Sequence, residues 1–379
     1  MTVIRSMLIA CSFALLAACT SAGTGTPETP APTGDRAGSP AAQPGEAWSV
    51  RTREHVDLWL HGYALLQQDT AHIPFFRRGY RDRMLAERRS RNVTSALDVD
   101  RERLVTRLSA NPTLVNGQFL ALYFASLDDL RRAVDLTIRA QGDPRAAGDP
   151  QLAQYVALVS ASFPSAADRD WLRTFTQAIV DEHRVFYRDY WAAQQSARSA
   201  TLAAVSTLWA HHRPAFRRYL SNTQQDRGEM LLSLPLNGEG RVADVGNRYF
   251  VVGVNFPETA NDAPEAMYTF AHEVVLATTN TAVNDNVTPA EQRSGVAGTY
   301  TSNAAVRGGA ILIERLTPDL AAGYMRYYLA AAGETVPSGS PRAAFEAAFP
   351  LPAPILAAIR AIRVIRVIRV PGRLVARRP

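Results

Sequence analysis

The clearest chemical feature of this chain is the adjacent pair His272-Glu273. An imidazole nitrogen can bind a divalent metal ion, and a carboxylate beside it can accept a proton from a metal-bound water. On a helix, a second ligand on the same face would stand four residues after the first. That position is Leu276, which offers no ligand atom. The pair therefore supplies one metal ligand and a general base, and any further ligand has to come from elsewhere.

The elements around this pair follow from local patterns. The run 248–256 is rich in β-branched and aromatic residues and predicts a strand, and Pro264 then opens a helix that carries His272. A further helix is predicted from about Ser302 to Leu316. It carries Glu314 on an apolar flank, where a carboxylate needs a partner. The predicted order along the chain is therefore a strand, a helix that carries His272 and Glu273, and a later helix that carries Glu314.

That order and the run 272–276 (His-Glu-Val-Val-Leu) resemble the zincin metallopeptidases, whose helix signature is HExxH. In the gluzincin branch of that family, a glutamate some tens of residues downstream is the third zinc ligand. The resemblance extends from about Met230 to Leu329. It implies a zinc-dependent, peptidase-type hydrolase acting on polypeptide, with His272 and Glu314 as ligands and Glu273 as base.

The chain departs from the family at Leu276. Zinc at a catalytic site takes three protein ligands, and His272 with Glu314 gives two. Asp285 is one candidate for the third, if the helix ends before it as the run 284–286 indicates. The other candidates are histidines distant in sequence, namely His61, His72, His211 and His212. The alternative is a zincin-like protein that binds no metal and recognises an envelope partner.

The first residues are typical of an exported lipoprotein. Residues 1–18 form a signal peptide with Arg5 before a short apolar run. The apolar run ends in Leu-Ala-Ala-Cys at 16–19, which resembles a lipobox and implies lipidation of Cys19. Residues 19–46 predict a flexible tether. By the same resemblance, Thr20 in place of aspartate implies an outer-membrane protein facing the periplasm, if the cell has two membranes.

The formal net charge of +6 is explained by the C-terminal tail, predicted as residues 351–379, in which arginine recurs every third residue from 360 to 369. The remainder of the chain is close to neutral, so the charge does not predict a nucleic-acid partner. The partners expected are the membrane, through Cys19, and a polypeptide substrate or protein partner.

The predicted fold class is mainly α with a small β-sheet (α+β). Residues 47–225 read as a helical region, and residues 226–350 as a zincin-like region. In the helical region, apolar residues recur at three- and four-residue spacing. One helix there is predicted to end at the turn 211–213, because Pro214 follows. A strand is also expected at 230–236.

Overall fold

The computed structural model describes residues 48–67 and 71–362. The fold is mainly α with one small sheet, which confirms the predicted fold class. The predicted signal peptide, the lipidation site Cys19 and the tether lie outside the described residues, as does the tail beyond residue 362.

Helices dominate the first part of the chain because apolar residues recur on one face of each. Their bounds are α1 Glu54–Leu66, α2 Tyr80–Ser90, α3 Ala96–Val99, α4 Arg101–Ala110, α5 Leu127–Arg139, α6 Pro150–Ser162, α7 Ala166–Glu182, α8 Arg188–Ala197 and α9 Ser199–Asn222. Segments Pro112–Tyr123 and Pro144–Ala147 are 3₁₀-helical, and His183–Tyr187 is a π-helical turn between α7 and α8.

Helix α9 corrects one prediction. It continues through His211 and Pro214 to Asn222 instead of ending at the turn 211–213. Trp209, Phe216 and Tyr219 are all buried on this helix, so burial of one continuous apolar face offsets the hydrogen bond that proline removes.

Within the described residues, the sheet has four strands: β1 Ser49–Arg51, β2 Arg227–Ser233, β3 Arg241–Asp244 and β4 Tyr249–Asn255. Their order is β1-β2-β4-β3, with β1, β2 and β4 parallel and β3 antiparallel to β4. From Gly228 onward β2 is buried, and so is β4 from Val251, as expected for parallel strands covered on both faces. The strands predicted at 230–236 and 248–256 are present, with shifted ends.

The last helices follow this sheet along the chain. Their bounds are α10 Pro264–Asn284, α11 Pro289–Arg293, α12 Val296–Leu316, α13 Ala321–Ala331, α14 Arg342–Ala348 and α15 Ala353–Ala361, with 3₁₀ turns at Ala260–Asp262 and Pro318–Leu320. Of these helices, α10 packs against β3 and β4 of the sheet. Helix α10 begins and ends where the sequence indicates, whereas α12 begins before Ser302. A Cβ on Gly308 would lie 2.5 Å from Thr279 Cγ2, so α10 and α12 pack in close contact.

One buried cluster connects the helices, the sheet and α10. Trp48, before β1, packs edge-on against Phe270 of α10 with ring centroids 5.1 Å apart, and Trp209 of α9 lies 4.8 Å from the same ring. Helix α10 therefore lies in the core, and His272 and Glu273 are buried with it.

Among the described residues, no single helix has the length and apolar composition needed to cross a membrane. The pair α14 and α15, bent by 118° at their junction, meets those two criteria only when taken together.

Candidate functional site

His272 lies on the buried face of α10, with 2% of its surface exposed. Its ring stacks on Tyr328 of α13, with centroids 5.4 Å apart and planes 20° apart. Burial lowers the pKa of His272 to about 3, so the ring is neutral at physiological pH. Its Nδ1 atom is buried and has no hydrogen-bond partner among the described residues. This histidine is packed as an apolar ring, and one of its nitrogens is left unsatisfied.

Glu273 is buried next to it, and its Oε1 lies 3.7 Å from His272 Nε2. The backbone N–H of Gly240 donates to Glu273 Oε1 at 2.9 Å, while Oε2 is buried without a hydrogen-bond partner in the described structure. A Cβ at position 240 would lie 2.0 Å from the Gly253 carbonyl oxygen, so only glycine allows this approach. Burial raises the pKa of Glu273 to about 7, although the charge of Arg241 and the backbone N–H groups of Gly240 and Val242 oppose that rise.

Glu314, the predicted downstream ligand, lies in a different environment. Its side chain is 29% exposed and accepts a hydrogen bond from Arg342 Nη2 at 2.5 Å. It makes no hydrogen bond or ion pair with His272 or Glu273. It lines a cavity of about 180 Å³ together with Arg307, Arg342 and Glu346. The structure thus places Glu314 in an arginine-rich surface cluster and does not bring it to the His272-Glu273 pair.

The other sequence candidates for the third ligand also have their own surroundings. Asp285 is exposed just beyond the end of α10. His61 is buried against Glu182, and the exposed His72 packs near Phe349. His212 Nε2 lies 3.8 Å from an Asp319 carboxylate oxygen, with the ring of His211 beside it.

Within residues 48–67 and 71–362, no group of three or more His, Cys, Asp or Glu side chains is placed to hold one metal ion. A catalytic zinc site needs three protein ligands. The described side chains therefore do not fit such a site, and zinc remains a prediction to be tested by binding.

Sequence reasoning missed a second buried histidine-glutamate pair, His61 on α1 with Glu182 on α7. Their Nε2 and Oε1 atoms are 3.3 Å apart, and His61 Nδ1 lies 3.1 Å from the Tyr80 hydroxyl. Glu182 Oε2 accepts from Ser95 Oγ at 2.6 Å and from Arg88 Nη2 at 3.0 Å. Burial acts to raise the pKa of Glu182, but the hydrogen bonds and positive charge around it outweigh burial and lower that pKa. The only sequence signal was the Asp-Glu-His run at 181–183, which has no motif spacing.

Two further carboxyl groups, the buried Asp57 and the half-buried Glu265, were also missed. Asp57 of α1 accepts hydrogen bonds from Trp191 Nε1 at 3.0 Å and from the Leu234 backbone N–H at 3.2 Å, and burial raises its pKa to about 7. Glu265, in the first turn of α10, accepts from Asn255 Nδ2 at 3.1 Å. Burial, with the nearby charge of Asp262, raises the pKa of Glu265 to about 7. Neither residue stands in a pattern that predicts its depth in the fold.

No family model matches this chain, and no curated protein or solved structure is detectably similar to it.

Proposed function

We propose that this chain is a lipid-anchored protein of the cell envelope, related to the zincin metallopeptidases, that binds a polypeptide or other envelope partner without metal-dependent hydrolysis. The observation that carries the proposal is the position of Glu314. Its carboxylate is engaged by Arg342 at the surface, while His272 stacks on Tyr328 in the core. The lipid anchor at Cys19 rests on the signal-peptide pattern.

The packing of α10 supports the same reading. Leu276 stands where a second histidine ligand would project, and it is half-buried. His272 with a pKa of about 3 and Glu273 with a pKa of about 7 form a pair in which burial disfavours both charges. At neutral pH the His272 ring is therefore uncharged and the Glu273 carboxyl group is about half protonated. We infer that the pair was retained because it fits the packing of α10 against β3 and α13.

A metallohydrolase acting on polypeptide is the second candidate function. Two buried polar atoms without partners in the described structure, His272 Nδ1 and Glu273 Oε2, favour it, because buried polar groups usually have a partner. A carboxyl group with a pKa of about 7 is also suited to general-base chemistry near neutral pH. This function requires ligands beyond His272 that reach one metal position.

Zinc binding by the full mature chain distinguishes the two. The lipidated protein would be purified in detergent, incubated with zinc, dialysed and assayed for bound metal by mass spectrometry. We expect substoichiometric zinc that is unchanged in Glu314→Gln and in His272→Ala. His72→Ala, which alters an exposed histidine, is the matched control.

One equivalent of zinc, lost in His272→Ala and kept in His72→Ala, would overturn the proposal and favour the hydrolase. Glu314→Gln changes a partly exposed side chain and should fold. Its zinc content can therefore be measured even if His272→Ala does not fold. Loss of a stoichiometric zinc in that variant would likewise assign Glu314 as a ligand.

A further inference from the structure

A larger cavity, of about 620 Å³, lies beyond the carboxyl ends of the parallel strands β2 and β4. Leu234 follows β2 and Glu258 follows β4, and helices α2 and α8, with Arg198 just after α8, complete its walls. In sheets with parallel strands, ligands bind outside the carboxyl ends of those strands. The volume is also in the range of small-molecule sites. We name this cavity the arginine cleft, after Arg77, Arg83 and Arg198 in its lining.

Two of these arginines are held in place by backbone carbonyl groups. Arg198 Nη1 donates to the carbonyl oxygens of Phe256 at 3.1 Å and Pro257 at 2.9 Å, and Arg77 Nη2 also donates to Phe256. Their side chains are 18% and 12% exposed. Carbonyl oxygens orient a guanidinium group but do not neutralise its charge. Arg77 and Arg198 are therefore preorganised cations at the ends of the strands.

Little negative charge balances them. Glu258 Oε1 lies 3.2 Å from Arg77 and 3.9 Å from Arg198, and this carboxylate is 60% exposed. Arg83 donates to the backbone carbonyl of Arg78 at 3.2 Å. Glu87, which also lines the cleft, is paired with Arg91. The charge of Arg77 also acts on Asp57 and Glu265, but burial raises the pKa of each to about 7, so both are partly protonated at neutral pH. Three arginines thus line the cleft, and Glu258 is the carboxylate of the lining that is not paired with Arg91, which leaves surplus positive charge.

Two other features support a ligand at this place. Burial, followed by repulsion from Arg77, lowers the pKa of Arg198, and Arg83 adds to that repulsion. Arg77 Nε is buried and has no acceptor among the described residues. An anion bound between the guanidinium groups would relieve the repulsion between these cations.

We propose that the arginine cleft binds a small organic anion that carries a carboxylate or phosphate group. Arginine forks match both groups and bind them through paired, charge-assisted hydrogen bonds. The side chains of Tyr80, Tyr190 and Leu234 provide an apolar wall for the remainder of the molecule. This proposal does not depend on whether His272 binds metal, because no cleft residue belongs to that pair.

Isothermal titration of the full mature chain in detergent tests the proposal. The probes are inorganic phosphate, phenyl phosphate and succinate, each at constant ionic strength set with sodium chloride. We expect saturable binding of at least one probe, and tighter binding of phenyl phosphate than of inorganic phosphate if the anion is a phosphate. Binding of succinate without phosphate would assign the anionic group as a carboxylate.

Arg83→Gln is the decisive variant, because Arg83 is exposed and its loss should not disturb folding. It should weaken binding about tenfold, the effect of losing one charge-assisted contact. Arg89→Gln, an exposed arginine on the same helix but outside the cleft, is the matched control and should bind like wild type. No saturable binding of any probe would overturn the proposal. Equal weakening in both variants, or none in Arg83→Gln, would also overturn it.

Discussion

Two buried histidine-glutamate pairs in this molecule differ in how far their polar atoms have hydrogen-bond partners. His61-Glu182 joins α1 to α7, and His272-Glu273 lies on α10. All four side chains have 3% exposure or less. The first pair is surrounded by Arg88, Ser95 and the Tyr80 hydroxyl. The second has backbone donors at Gly240 and Val242, and two buried polar atoms without partners in the described structure.

The comparison shows that burial alone does not set the charge of a carboxyl group. Glu182 has a lowered pKa because donors and a cation outweigh its burial. Glu273 has a pKa raised to about 7 because they do not. Glu182 is therefore an ionised member of a structural network, and Glu273 is a carboxyl group whose ionisation the fold resists. The pair that matches a catalytic motif, His272-Glu273, is the one with fewer hydrogen-bond partners.

The largest effect on the free energy of unfolding is expected at the pair His61-Glu182. Glu182→Ala leaves His61 and part of the charge of Arg88 buried without their acceptor. We expect it to lower the free energy of unfolding by about 3–5 kcal/mol, the usual cost of breaking a buried ion pair. Urea denaturation at neutral pH measures this. Glu182→Gln is the control, and it should cost less because the amide oxygen can still accept one hydrogen bond. A loss under about 1 kcal/mol in Glu182→Ala would show that the network is not a stabilising one.

The second prediction concerns the carboxyl group of Glu273, which has fewer hydrogen-bond donors than Glu182. The folded-state pKa of Glu273, about 7, is above its usual value of 4.5. Its contribution to stability is therefore complete below pH 4.5 and is lost as the pH rises through 7. Glu273→Gln does not titrate. The free energy of unfolding of the variant, relative to wild type, should rise by about 2–3 kcal/mol between pH 5 and pH 8.

Urea denaturation in a chelator-containing buffer, across that pH range, tests the second prediction. Glu334→Gln, at an exposed carboxylate, serves as the control and should follow wild type. A difference between Glu273→Gln and wild type that does not change with pH would mean that Glu273 is ionised without cost. The two pairs would then be equivalent.

The smallest effect is expected at His272, and its pH dependence has the opposite sign. The folded-state pKa, about 3, is below the usual value of 6.5, so the neutral ring stabilises the protein above pH 6.5 and this is lost as the pH falls toward 3. His272→Phe keeps an aromatic ring against Tyr328 and does not titrate. Relative to wild type, the variant should gain about 2 kcal/mol between pH 7 and pH 5.

His72→Phe is the control for this measurement, because His72 is exposed. It should show no comparable gain at low pH. If His272→Phe shows none either, the ring of His272 is protonated in the folded protein and must have an acceptor beside it.

Much of the fold could be predicted from local patterns. The run 248–256, the start of α10 at Pro264 and its end at Asn284 each follow from spacing and capping residues that act over a few positions. The end predicted for α9 was wrong because Trp209 and Phe216 are buried by partners distant in sequence, and this outweighs the local effect of Pro214.

The candidate sites were harder to predict, for a related reason. The sequence placed His272 beside Glu273 and put Leu276 four residues on, and both facts hold in any fold that keeps this helix. The sequence could not show that Glu314 lies against Arg342. It also could not show that Glu182 contacts His61, because the two are more than a hundred residues apart. Nor could it show that three arginines, Arg77, Arg83 and Arg198, lie together at the ends of β2 and β4. Spacing along one element is fixed by backbone geometry, so the sequence alone determined the motif and its missing ligand. Contacts between elements depend on how their apolar faces pack, so the pairing of charged groups on different elements follows from the tertiary packing.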